Sequence, residues 1–161
     1  MARRVAGVEW KPDWARLKAL ARQAKGVRVG WFSGKRHGGG EISLARLAAV
    51  HEFGAPQAGI PARAPLGTAV REQEQELVAH AVLVMSRVVA GTLTMQRGLE
   101  VLGKGLAQRV RRRMLRGRHL QPRLKAATVA AKRRRGSSSP TRPLVDTGEL
   151  ADSVEFRVVR L

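Results

Sequence analysis

The sequence contains no cysteine and no tyrosine, and aromatic residues make up only 4% of it. The first absence removes disulfides, thiolate zinc sites and cysteine nucleophiles together. With so few aromatics, alanine, valine and leucine must fill whatever core the 43% apolar content builds. No run of apolar residues reaches the length needed to span a bilayer. The opening "MARRVAGVEW" has basic residues but no apolar stretch behind them, so a secretory signal peptide is not expected. Such a chain is expected to be soluble and to stay in the cytoplasm where it is made. Its 161 residues suit a single domain, residues 1–161, better than two.

Acidic residues are scarce as well. Thirty-one Lys and Arg stand against twelve Asp and Glu, a net charge of +19. Residues 101–145 hold fourteen basic residues and no acidic one, which leaves +5 for the other 116 residues. The densest runs are "RVRRRMLRGR" and "KRRRG". A field of that size on a small chain favours a polyanion, usually nucleic acid. The plainer readings are a solvated basic face or the Arg and Ala bias of a GC-rich genome.

Periodicity predicts the elements. "KPDWARLKALARQAKG" reads as a first helix, with Pro12 and Asp13 in its first turn, Trp14, Leu17, Leu20 and Ala21 on one face, and Gly26 at its end. Val27, Val29 and Trp31 alternate with Arg28 and Gly30, which suits a half-buried strand over 27–33. Ser43 is placed to cap a short helix that carries Leu44, Leu47, Ala48 and Phe53 inward and ends at Gly54. After a proline-punctuated stretch over 55–65, Leu66, Val70, Leu77, Ala81, Val84 and Val88 predict one long helix to about Ala90, with "REQEQE" exposed. Gly91 and Thr92 separate it from a second amphipathic helix with the stripe Met95, Leu99, Leu102, Leu106, Val110 and Met114. Gly98, Gly103 and Gly105 each weaken that helix by about 1 kcal/mol relative to Ala. They imply close packing or a segment that changes shape on assembly. Residues 117–142 read as a flexible basic loop. In "VDTGELADSVEF", Asp146 or Thr147 can cap one or two helical turns, with Glu149 placed for a capping box, and Val154, Phe156 and Val158 alternate as a closing strand. The expected fold class is α+β. A small antiparallel sheet of residues 27–33 and 153–160 packs on two long amphipathic helices.

The residues give little support to catalysis. His51–Glu52 has the first two residues of a zinc-protease helix, but "HEFGA" stops at glycine with no second histidine. His37, His51, His80 and His119 lack ligand spacing, so no metal and no cofactor is expected. "GWFSGKR" has three residues between its glycines where a phosphate loop needs four, and Arg36 where Ser or Thr should hold magnesium. No nucleophile–base grouping is recognisable, so no catalytic residue is named.

The order of the pieces carries more. "AVHEFG" is followed by "IPARAPL" and, after the long helices, by "PLVDTGELADSVEF". This succession resembles the neck or tail-completion proteins of tailed bacteriophages, the virion morphogenesis proteins of Mu-like phages. The matching positions are Ala48, His51, Glu52, Phe53 and Gly54; Ile60, Pro61, Arg63 and Pro65; and Pro143, Leu144, Asp146, Thr147, Gly148, Leu150 and Ser153. The likeness covers about residues 27–158. It departs at Ala64, where the family usually has proline, at Leu66, where it has an aromatic residue, and in the heavier basic load before the last motif.

The resemblance implies a non-enzymatic virion protein, assembled in the bacterial host cytoplasm. It would form a homo-oligomeric ring, hexamer or dodecamer, at the head–tail junction, with no membrane partner. The ring would join the head connector on the portal side to tail-terminator or tail-tube proteins and let phage DNA pass without sequence preference. On that reading Arg109, Arg112, Arg113, Arg116, Arg118, Arg123, Lys125, Lys132, Arg133, Arg134 and Arg135 face DNA. His51, Glu52, Phe53, Gly54, Pro61, Arg63, Pro143, Asp146, Thr147, Gly148 and Leu150 serve structure or subunit contacts, with Glu52 and Arg63 stabilising the motif loop. The alternative is a free basic nucleic-acid-binding protein of nucleoid or ribosomal type, which accounts for the charge but not for "HEFG" or "VDTGEL".

Overall fold

The computed structural model describes residues 4–5, 8–9, 13–32, 34, 36–116 and 120–161. In order these form β1 (Arg4–Val5), β2 (Val8–Glu9), α1 (Trp14–Arg22), β3 (Lys25–Gly30), α2 (Leu44–Phe53), α3 (Pro65–Glu72), α4 (Glu74–Ala90), α5 (Met95–Arg116), α6 (Ala126–Arg134), α7 (Glu149–Asp152) and β4 (Glu155–Arg160). The class is α+β, as the periodicity predicts. A short antiparallel hairpin, β1–β2, precedes the main sheet.

The main sheet pairs β3 with β4, antiparallel, from Lys25 opposite Arg160 to Gly30 opposite Glu155. The partners are the expected ones, but the first strand begins and ends earlier than 27–33. Helix α1 stops at Arg22, not at Gly26, because the chain reverses through Ala24 at φ 42° and pairing is already under way at Lys25. Pro12 and Ser33 lie outside the described residues. Asp13 caps α1 by accepting from Arg16 N at 2.9 Å. Trp14, expected on the packed face, is 67% exposed, and α1 buries no residue.

Helix α5 is the element on which the others converge. Thr94 caps its start through Arg97 N (3.2 Å), and Gly98, Leu99, Gly103, Ala107, Val110 and Met114 are its buried residues. Its glycines mark close approach. A Cβ on Gly103 would lie 2.5 Å from the Phe156 ring and 2.7 Å from Val27, and one on Gly98 would lie 2.8 Å from Val88. Both strands of the main sheet therefore rest on α5 around Gly103, while α4 crosses it at Gly98. Farther along, Val110 and Met114 join Leu44 and Ala48 of α2, Ala69 of α3, and Leu150 and Ala151 of α7 in one buried cluster.

Three further expectations are corrected. The single helix to Ala90 is two helices, broken at Gln73 (φ −121°, ψ 19°). Nothing in "REQEQE" signals a break; Arg109 of α5 donates to Gln73 Oε1 at 2.8 Å and holds the bend. Phe53 points outward, 80% exposed. It lies five residues beyond Ala48, about 140° around a helix of 3.6 residues per turn, so it cannot share the Leu44–Ala48 face. The expected loop over 117–142 contains α6, whose Lys132 is 5% exposed.

Candidate functional site

The first two motifs meet where α2 ends and α3 begins. Gly54 closes α2 at φ 81°, and a Cβ there would lie 2.8 Å from Ala62 N, so glycine lets the returning strand pass close by. The return is fixed by backbone bonds: Arg63 N and Ala64 N both donate to His51 O, at 2.8 and 3.0 Å. Ala64 then sits at φ 38° before Pro65 opens α3. The residue at that cap offers no side-chain oxygen. Glu52 supplies it from α2, one carboxylate oxygen accepting from Leu66 N (2.9 Å) and the other from Gly67 N (2.8 Å). A carboxylate at a helix N-terminus meets both unsatisfied N–H groups and the positive end of the helix dipole.

Arg63 does not pair with Glu52. It is buried and donates through Nε to Pro122 O at 3.1 Å, tying the motif turn to the segment that leads into α6. Burial pulls its guanidinium below the usual arginine range. His51 is held neutral: burial, with the nearby Arg63 and His37, pushes its pKa down to about 4. Its Nδ1 is buried without a hydrogen-bond partner among the described residues. A groove of 830 Å³ lies beside this turn, lined by His51, exposed Phe53, Ile60, Pro61, Arg63 and Pro122 among others.

The third motif sits against the first through the shared core. Leu150 is buried there, and its carbonyl accepts from Trp31 Nε1 at 2.8 Å and Ser153 Oγ at 3.1 Å. Pro143 is buried. The capping box expected from Asp146 and Glu149 is not formed, because Gly148 is the residue before α7, at φ 87°. Thr147 Oγ1 makes only a long contact to Glu149 N (3.4 Å), Asp146 faces Arg135 at 3.4 Å, and the Glu149 carboxylate turns to His37 Nδ1 (2.9 Å) and Gly38 N (3.1 Å).

The basic residues divide into several groups. Arg109 pairs with Glu76 (2.6 Å) and Arg113 with Glu72, with two contacts of 2.5 and 2.7 Å. These two arginines clamp α5 to the α3–α4 bend and are largely covered. Lys132 is buried, its ammonium donating to the carbonyls of Ser139 (3.1 Å), Arg142 (2.8 Å) and Val145. Burial lowers its pKa, against the pull of Asp146. In this structure Lys132 is a staple for the 139–145 loop and has no face toward DNA. Arg112, Arg116, Arg123, Lys125, Arg133 and Arg134 are exposed, as is Arg135 beside Asp146. Arg118 lies outside the described residues.

Sequence reasoning missed Glu52 as the cap of α3, Lys132 as a buried staple, and the ties from Trp31 to Leu150 and from His37 to Glu149. None of these had a local signal, because each side chain reaches a partner beyond its own element. Among the described residues no three of His, Asp and Glu gather as a metal-holding group, and no helix is long and apolar enough to cross a membrane. Comparison with protein-family models, with curated proteins and with solved structures finds no match to this chain.

Proposed function

We propose that this chain is a non-enzymatic structural protein of a tailed-bacteriophage virion. It forms a ring at the head–tail junction that joins the head connector to the tail and lets DNA pass. The observation that carries this reading is the ordered succession of "AVHEFG", "IPARAPL" and "PLVDTGELADS", which resembles the neck and tail-completion proteins. The contacts made by the motif residues support a structural role. Glu52 of the first motif caps the helix entered by the second, and Ala48 of the first shares a core with Leu150 of the third. Exposed arginines and Lys125 supply charge that meets phosphates without reading bases.

The test is disruption of this gene in the genome that encodes it, followed by electron microscopy of the particles. The expected result is filled heads and separate tails, restored to whole virions when the protein is supplied in trans. Normal virions without the protein would overturn the assignment. A second reading, a free nucleic-acid-binding protein, draws on the exposed Arg123, Lys125, Arg133 and Arg134. It requires tight DNA binding by the isolated chain and no particle defect.

A further inference from the structure

Helix α5 turns four arginines toward the bend between α3 and α4. Arg109, Arg112, Arg113 and Arg116 follow one another at steps of three, one and three, so they share one side of the helix. Across from them stand Glu72 at the end of α3, Gln73 at the bend and Glu76 in the first turn of α4. Between the two sides lies a cavity of 540 Å³, lined by all of these residues and by Leu120.

The charges around this cavity do not balance. Glu76 takes Arg109 at 2.6 Å, and Glu72 takes Arg113 through both terminal nitrogens, at 2.5 and 2.7 Å. Arg112 and Arg116 line the same cavity, are exposed, and meet no carboxylate among the described residues. Four guanidiniums against two carboxylates leave +2 in the wall. Arg113 supplies an independent sign. With both terminal nitrogens committed to Glu72, its Nε–H is buried and has no acceptor among the described residues. Buried N–H groups are nearly always paired, and an anion rich in oxygen is the acceptor that a wall of arginine donors lacks.

We propose that this cavity seats a phosphate group, with Arg112 and Arg116 as its main ligands and Arg113 Nε as a further donor. Guanidinium forks match the oxygens of a phosphate, and arginine stays charged throughout the ordinary pH range. A phosphate monoester near neutral pH carries about −1.5 to −2, close to the excess in the wall. Cavities of roughly 300–1,000 Å³ hold small organic ligands, so the phosphate has room to arrive attached to a sugar. Glu72 and Glu76 limit the affinity, because their charge faces the same space. The proposal rests on the cavity and its charges, and stands whether or not the chain belongs to a virion.

The first measurement is urea unfolding of the full chain with increasing inorganic phosphate, at an ionic strength held constant with sodium chloride. At ten times its dissociation constant, phosphate should raise the ratio of folded to unfolded chain about elevenfold. Phosphate also favours folding by exclusion from protein surfaces, an effect that every variant shares, so the site is read from differences between variants. Arg112→Gln/Arg116→Gln replaces two exposed side chains. It should leave the midpoint without phosphate unchanged and raise the dissociation constant at least about tenfold. Arg133→Ser/Arg134→Ser, on α6 and outside the cavity lining, should keep the phosphate effect. Glu76→Gln retains an oxygen for Arg109 and removes a negative charge from the wall, so phosphate should bind several-fold tighter. Mixed-sequence duplex DNA, added as a competitor, separates the sources of the group. Competition places backbone phosphates in the cavity, and its absence assigns the cavity to a free phosphate ester. Equal phosphate effects in wild type and Arg112→Gln/Arg116→Gln, an equal loss in Arg133→Ser/Arg134→Ser, or weaker binding by Glu76→Gln would overturn the proposal.

Discussion

Both carboxylate oxygens of Glu52 are taken by backbone amides of α3, so the residue acts as a capping group supplied from another helix. Glu52→Ala should lower stability by about 2 kcal/mol, and Glu52→Gln, which keeps one acceptor oxygen, by about 1 kcal/mol. Equal urea midpoints for wild type and both variants would contradict the assignment. His51, next to it, makes stability depend on pH. Its pKa is about 4 in the fold against 6.5 for a free histidine, so between those values the unfolded chain binds more protons. The contribution is complete above pH 6.5 and is lost as pH falls toward 4, up to about 3 kcal/mol in all. His51→Asn removes the titrating group. Its urea midpoint should fall less than that of wild type between pH 7 and pH 4.5; equal falls would place the buried histidine elsewhere.

At the scale of elements, α6 is built around an ammonium group. Lys132 projects from α6 to three carbonyls of the following loop, so a helix and a loop with few apolar residues are held by charge-assisted bonds. Lys132→Met keeps the stem and removes the charge, leaving Ser139, Arg142 and Val145 carbonyls without their donor. The expected loss is about 2 to 3 kcal/mol, measured by denaturant unfolding. An unchanged midpoint would mean that the loop finds water or another donor at no cost. The same logic separates the arginines of α5. Arg109 and Arg113 hold the bend between α3 and α4, and Arg112 and Arg116, on the same helix, stay exposed.

For the whole molecule, charge and assembly are the properties at stake. Each phosphate neutralised on duplex DNA contributes roughly −0.9 to the slope of log K against log salt. Replacing exposed Arg133 and Arg134 by Ser should therefore make the slope shallower by up to about 2 and weaken binding without altering the urea midpoint. Lys132, buried on the same helix, should show the reverse: a stability loss with little change in slope. Sequence-selective binding, or a slope unmoved by the double replacement, would remove these residues from the DNA path.

Local pattern determined a large part of this protein. The stripe from Met95 to Met114, the alternation around Val27 and Phe156, the cap at Ser43 and the stops at Gly54 and Gly91 were legible because each depends on residues a few positions apart. The three motifs were legible as an ordered set. The tertiary structure decided what their residues do. Glu52 reaches a helix that starts thirteen residues later, Arg63 a carbonyl at Pro122, and Trp31 one at Leu150. The bend at Gln73 is tied to Arg109, thirty-six residues away. Composition likewise set the total charge, but packing decided its use: Lys132 is buried, Arg113 is paired, and Arg133 is left in solvent. A periodic pattern records which side of an element is apolar. It carries no record of which distant polar group will come within 3 Å, because that depends on how the elements pack.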